Sequence, residues 1–224
     1  MARNRGAAWI VGALLEIAAL AGAVTDASAA PPAQAPAAPD GCRQQLRSEA
    51  FTFAPWPLRP TATGGGVTCE APEGVAIQRG HDGVRFQPPA RVNCAFALRL
   101  VKFEAIVQEE AREILRSPVR AVEQLGTYNC RHMAAYPDLV SEHSFANAID
   151  IAAFVLKNGR KVVVERDWVR ADQPAVTPAA KFLRRLTRRL YDEQIFSVVL
   201  TPSYDRHHKN HLHLDGASYT VDGT

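Results

Sequence analysis

At 224 residues, with 47% hydrophobic and 22% charged side chains, the chain has the composition of one globular domain with a full core, which excludes a disordered chain. A formal charge of +3 is too mild for a nucleic-acid-binding surface.

Arg3 and Arg5 precede an apolar stretch, Trp9 to Val24, followed by the small-x-small pattern Ala27-Ser28-Ala29. Residues 1–29 therefore read as a secretory signal peptide cut near Ala29. Glu16 interrupts the stretch, and the alternative, an N-terminal anchor, asks for a longer apolar run. Residues 30–40 are almost entirely Ala and Pro, an extended spacer with nothing to bury. The folded domain is expected at 41–224, exported to the periplasm or cell envelope, with no stable transmembrane span after cleavage. Its oligomeric state is open.

Cys42, Cys69, Cys94 and Cys130 all lie in the exported part without a CxxC pair, which favours two disulfides over a cysteine metal site. Three connectivities exist. The sequential one, Cys42–Cys69 with Cys94–Cys130, is preferred because it staples neighbouring segments, each loop contributing about 3–4 kcal/mol. Buried free thiols are the other reading.

Residues 41–93, rich in Gly, Pro and turn signals, read as an irregular lobe with short β-prone pieces at Gly66-Val67-Thr68 and Val84-Arg85-Phe86. The spacing of Leu98, Val101, Ala105 and Ile106 predicts a helix from Asn93, its N-cap, to Arg116. Strands are expected at Ala121 to Tyr128 and Ala148 to Leu156. Lys157-Asn158-Gly159-Arg160 reads as a type I′ hairpin turn, with Lys161 to Glu165 as the return strand. Thr177-Pro178 opens a helix whose Phe182, Leu186 and Leu190 share one face, ending near Gln194. Arg184, Arg185, Arg188 and Arg189 form its solvated face, or a contact for an anionic wall polymer. Ile195 to Leu200 and Asn210 to Leu214 complete the strands. The sum is an α+β domain, an antiparallel sheet with flanking helices that presents polar blocks from one face.

Those blocks are SEHSFANAID (Ser141 to Asp150) and HHKNHLHLD (His207 to Asp215), which hold five of the seven histidines. His143, Asp150, His211 and His213 are nitrogen and oxygen donors of the kind zinc takes. His211 and His213, two apart on a strand, face one cavity, and only one of them need touch a metal. The other is placed for a proton or a developing oxyanion, while Leu212 and Leu214 pack behind. His143 and Asp150 are separated by an odd number of residues, so His143 must lie on a bend before Asp150's strand. Three ligands with an open fourth position are the arrangement in which zinc activates water for amide hydrolysis. A closed structural site, or histidines in ordinary hydrogen bonds, is the alternative.

SEHSFANAIDIAAF resembles the first metal motif of the extensin-like C-terminal domain family, and VVLTPSYDRHHKNHLHLD resembles its second. That family is related to the D-Ala-D-Ala peptidase, lysostaphin and hedgehog group of zinc folds, whose fold the resemblance implies here. The resemblance spans most of Gly41 to Asp215, including the cysteines and Gly126 to Arg131. It implies that His143, Asp150 and His213 ligate Zn2+, with His211 as a catalytic histidine beside it. Arg131 matches an arginine that faces a substrate carboxylate or carbonyl, a role its planar fork suits, though a surface salt bridge would also employ it. His208 matches an additional active-site histidine of some murein endopeptidases, whereas His207 is expected to be exposed. Ser141 matches the serine two before the first ligand. Two departures stand out: Ala146 replaces a common Gly, and Asn210 stands where relatives carry a carboxylate base, leaving the proton to His211 or His208.

The resemblance implies an exported zinc metallopeptidase acting on peptidoglycan stem peptides or cross-links, as a D-Ala-D-Ala carboxypeptidase or murein endopeptidase. A non-catalytic, zinc-stabilised wall-binding module is the competing expectation, and a metal-free disulfide domain the third. Residue type favours zinc without excluding manganese, iron or nickel.

Overall fold

A computed structural model describes residues 39–62, 66–71, 73–134, 136–170 and 172–224. The expected signal peptide and all but the end of the spacer lie outside the described residues.

The segment expected to be irregular is largely regular. It holds helix α1 (Pro39–Ser48) and strands β1 (Thr52–Pro55), β2 (Leu58–Ala62), β3 (Thr68–Ala71), β4 (Val75–Arg79) and β5 (Arg85–Val92). The strands are short and turn-rich, which is why periodicity did not reveal them. Helix α2 (Cys94–Glu110) follows, with Asn93 Oδ1 accepting from Phe96 N as its N-cap. It runs on as a π-helical segment to Leu115 and stops at Arg116, whose backbone is left-handed. Strands β6 (Val119–Gly126), β7 (Ala148–Leu156) and β8 (Lys161–Val163), the short helix α3 (Val164–Asp167), helix α4 (Pro178–Asp192), and strands β9 (Val198–Leu200), β10 (Leu212–Asp215) and β11 (Val221–Gly223) complete the order.

Nine strands form one sheet, in the order β1-β4-β5-β6-β7-β10-β9-β11, with β8 also on β7; β2 and β3 pair separately. Most pairs are antiparallel, but β5 with β6 and β9 with β11 are parallel. Behind the sheet, Phe96, Leu100 and Phe103 of α2 and Phe182, Leu186 and Leu190 of α4 share one core with Ile149, Ile151, Leu212 and Leu214. Thr177 caps α4 by accepting from Ala180 N, as its sequence predicts. Among the described residues no helix is long and apolar enough to cross a membrane.

Three local expectations are corrected. The β7–β8 turn is not type I′: only Gly159 has positive φ, at 86°, and Asn158 does not. Gly159 N donates to Leu156 O and Leu156 N donates to Arg160 O, so three residues turn the chain and glycine supplies the single left-handed step. The return strand stops at Val163, where Asp167 accepts from Val163 N and the chain coils into α3. The disulfides are Cys42–Cys94 and Cys69–Cys130, not the sequential pairing. Tertiary packing decides this: α1 packs on α2, which begins at Cys94, while β3 lies by the 3-10 turn Glu142–Phe145, to which the chain beside Cys130 is tied by Asn129 N donating to His143 O. The two bridges fit an oxidising, non-cytosolic environment.

The arginine face of α4 is largely spoken for. Arg185 and Arg189 pair with the fully buried Glu110, each at 2.7 Å, and Arg188 pairs with Asp192 and Asp222. That leaves little free positive charge for an anionic polymer.

Peptide mapping without reduction is expected to recover the peptides of Cys42 joined to Cys94 and of Cys69 joined to Cys130; a Cys42–Cys69 peptide would contradict the fold. Replacing either pair by serine is expected to cost about 4 kcal/mol in denaturant unfolding.

Candidate metal centre

On the sheet face opposite the helices, β7 and β10 pair so that Asp150 lies directly across from His213. Each has apolar neighbours, Ile149 and Ile151 on β7 and Leu212 and Leu214 on β10, that point back into the core. His143 arrives from a 3-10 turn, Glu142–Phe145, the bend its odd spacing from Asp150 requires. That turn is zipped to the segment holding Arg131. The Ser144 hydroxyl accepts from Arg131 N at 2.9 Å and donates to Arg131 O at 2.8 Å, and Asn129 N donates to His143 O. The Cys69–Cys130 bridge anchors the same segment one residue before Arg131. Ala146 ends the turn in the left-handed region, at φ 50°, where a Cβ is disfavoured. Asn93 N donates to Ala146 O and so holds it there.

The three side chains converge. His143 Nε2 is 3.2 Å from His213 Nδ1 and 3.2 Å from Asp150 Oδ2, and His213 Nδ1 is 2.9 Å from Asp150 Oδ1. Donors placed about 2.0–2.1 Å from a tetrahedral ion sit about 3.3–3.4 Å apart along its edges, so the triangle is close to the size zinc needs. Among the described residues this is the one group of three or more that could hold a metal ion. Zinc fits the donor set of two imidazoles and a carboxylate.

A carboxylate stands behind the cluster that spacing alone could have flagged. Asp215, two residues after His213 on the same strand face, lies 2.9 Å from His213 Nε2 and is buried. It fixes the ring with Nδ1 toward Asp150, the carboxylate–histidine support usual for metal ligands. Burial works against a charged His213, but its hydrogen bonds to Asp150 and Asp215 outweigh that and push its pKa up to about 9. Burial likewise opposes ionisation of Asp150, yet hydrogen bonds to His143 and His213 hold it well below the usual carboxylate range. Glu142 moves upward because burial outweighs its hydrogen bond from Asn147 Nδ2 at 2.6 Å.

All six residues singled out by sequence, with Ser141, line one cleft of about 480 Å³. His211 Nε2 is 3.5 Å from Asp150 Oδ1, outside the donor triangle, and its Nδ1 is 2.9 Å from Asn210 Oδ1. Asn210 therefore orients an imidazole where a carboxylate base was expected. His208 is 5.2 Å from His211 and 5.8 Å from His213, ring centre to ring centre, while His207 is exposed. Burial pushes both His208 and His211 down, toward the neutral form. Arg131 donates to the carbonyl of His132 and forms no ion pair among the described residues, so the surface-salt-bridge alternative finds no partner. Sequence reading missed Asp205, the buried Asp215 and the exposed rim aromatics Tyr136, Tyr204 and Tyr219 along the cleft.

An α+β domain, stapled by two disulfides and carrying a His-Asp-His cluster in an open cleft, is the class this structure defines. The chain belongs to the extensin-like protein C-terminus family, whose model matches residues 40–222. No curated protein and no solved structure matches it.

Metal binding needs Nδ1 of His213 bare. Because folding raises this pKa from 6.5 to about 9, the metal-free imidazole is protonated at neutral pH, and that proton must leave. Calorimetric zinc titration at pH 7 in buffers of different ionisation enthalpy is expected to show about one proton released per metal, with affinity weakening as pH falls below 9. Proton-neutral binding would contradict this geometry. Asp215→Asn is expected to weaken zinc binding about 10–100-fold. Ala146→Gly is expected to leave stability unchanged or raise it by up to about 1 kcal/mol, since glycine relieves the left-handed strain; a clear loss in denaturant unfolding would argue against that backbone.

Proposed function

We propose that this protein is a zinc-dependent hydrolase of the cell envelope that cuts amide bonds in peptidoglycan peptides, allied to the D-Ala-D-Ala peptidase and murein endopeptidase group. The observation that carries the reading is the donor triangle of His143, Asp150 and His213 set in a cleft that also holds Arg131, a cation that forms no ion pair among the described residues. The disulfides and the apolar segment Trp9 to Val24 support residence in the periplasm or cell envelope.

His143, Asp150 and His213 would hold the metal, with Asp215 aiming His213. When bound, zinc supplies Lewis acidity for a carbonyl and for a nucleophilic water. Arg131 presents planar donors to a substrate carboxylate or carbonyl and fixes where the scissile amide lies. His211, steadied by Asn210, and His208 are imidazoles beside the cluster that can accept a proton, a role Asn210 cannot fill. Tyr136, Tyr204 and Tyr219 offer apolar faces to the body of a peptide or sugar.

Purified protein incubated with peptidoglycan sacculi is expected to release new peptide fragments by mass spectrometry, to lose this activity with a chelator and to regain it with zinc. Unchanged muropeptides across a broad panel of sacculi would count against catalysis. Arg131→Ala is expected to lower kcat/KM by about 10–100-fold, the range for a hydrogen bond to a charged group.

A further inference from the structure

The loop between β9 and β10 carries a second carboxylate–imidazole pair, separate from the donor triangle. Asp205 Oδ1 caps the short 3-10 turn Arg206–His208, accepting from His207 N at 2.7 Å and His208 N at 3.1 Å. The same oxygen lies 2.7 Å from His208 Nδ1. A carboxylate can only accept there, so in the neutral imidazole the ring proton must sit on Nδ1, and Nε2 is left as a bare acceptor. Among the described residues nothing hydrogen-bonds that nitrogen, although the ring lines the cleft and its side chain is only 17% exposed. An ordered, half-buried imidazole with a free lone pair, beside His211 and His213, has the form of a proton acceptor. Asn210, in contrast, spends its oxygen on His211.

We infer that Asp205 is a positioning residue that fixes His208 in the Nδ1–H tautomer, so that Nε2 serves the cleft as its general base. The catalytic part of this role rests on the hydrolase reading above; the tautomer does not. As water attacks the amide carbonyl, a C–O bond forms and a water proton passes to His208 Nε2. As the C–N bond breaks, Nε2 returns that proton to the departing amine. Atoms and charge balance with no further reactant.

Long-range proton–nitrogen correlation spectra of the full chain labelled with ¹⁵N-histidine, chelated and held at pH 8, test the inference. His208 is assigned by the loss of its signals in His208→Gln. The wild type is expected to show a protonated Nδ1 and a bare Nε2. Asp205→Ser keeps a capping oxygen but is too short to reach the ring, so the balance is expected to swing toward Nε2–H with little change in unfolding midpoint. Asp205→Asn, whose oxygen can both cap and accept, is expected to keep the Nδ1–H form. A wild-type His208 protonated on Nε2, or an unchanged tautomer in Asp205→Ser, would overturn the inference and leave Asp205 a turn cap. On sacculi, Asp205→Ser is expected to lower kcat by about 100-fold or more with KM little changed; an unchanged kcat would overturn the catalytic role. If wild type cleaves nothing, the hydrolase reading and the base role fall together, while the spectra still decide whether Asp205 sets the tautomer.

Discussion

The antiparallel register of β7 with β10 is the constraint on which the site depends. It sets Asp150 opposite His213 and, on the other face, Ile149 and Ile151 beside Leu212 and Leu214. Since side chains alternate, a slip of β10 by one residue would drive His213 into the core and turn Leu212 and Leu214 outward, and a slip of β7 would do the same to Asp150 and to Ile149 and Ile151. The apolar face therefore enforces the polar one. Burying side chains of this size contributes roughly 1.5–3 kcal/mol each, so the hydrophobic core holds the register far more firmly than the polar contacts could.

The remaining ligand and the cation reach the cleft by a less regular path, and the structure ties that path at several points. The Cys69–Cys130 bridge and the Asn93 backbone hold the stretch from Asn129 to Asn147 against β3 and the start of α2, while the Ser144 hydroxyl ties its two halves together. A second pattern runs through the cleft itself: Asp215 faces His213, Asn210 faces His211 and Asp205 faces His208. Each imidazole is aimed by a neighbouring oxygen, which lowers the cost of ordering it for chemistry. Charge follows the same logic, with Asp150 and Asp215 favouring a proton on His213 and burial favouring neutral His208 and His211.

The parts of this arrangement legible in sequence are those set by local rules. Asn93 and Thr177 announced their helices because capping needs only a side-chain oxygen three residues upstream of a free N–H. β7 was legible from its apolar run, and His143, Asp150, His211 and His213 stood out as candidate donors by type and spacing, with the family resemblance narrowing them to the three that converge. What depended on distant packing was not. Cys42 meets Cys94 only because α1 lies on α2, and β11 joins β9 across a segment that contains β10 and the whole second histidine block. Asp205 looked like an ordinary polar residue until the fold put a histidine nitrogen beside it, whereas Asp215, two residues after His213 on one strand, could have been flagged by its spacing. The turn at Asn158-Gly159 shows how a strong dipeptide signal fixes the place of a reversal without fixing its backbone class.

Metal content and coordination of the purified protein test the central claim most directly. Elemental analysis with X-ray absorption at the zinc edge is expected to give about one zinc per chain, bound by nitrogen and oxygen only, and to lose it in both His143→Ala and His213→Ala. Protein that takes up no metal, or holds it unchanged in those two variants, would contradict the account.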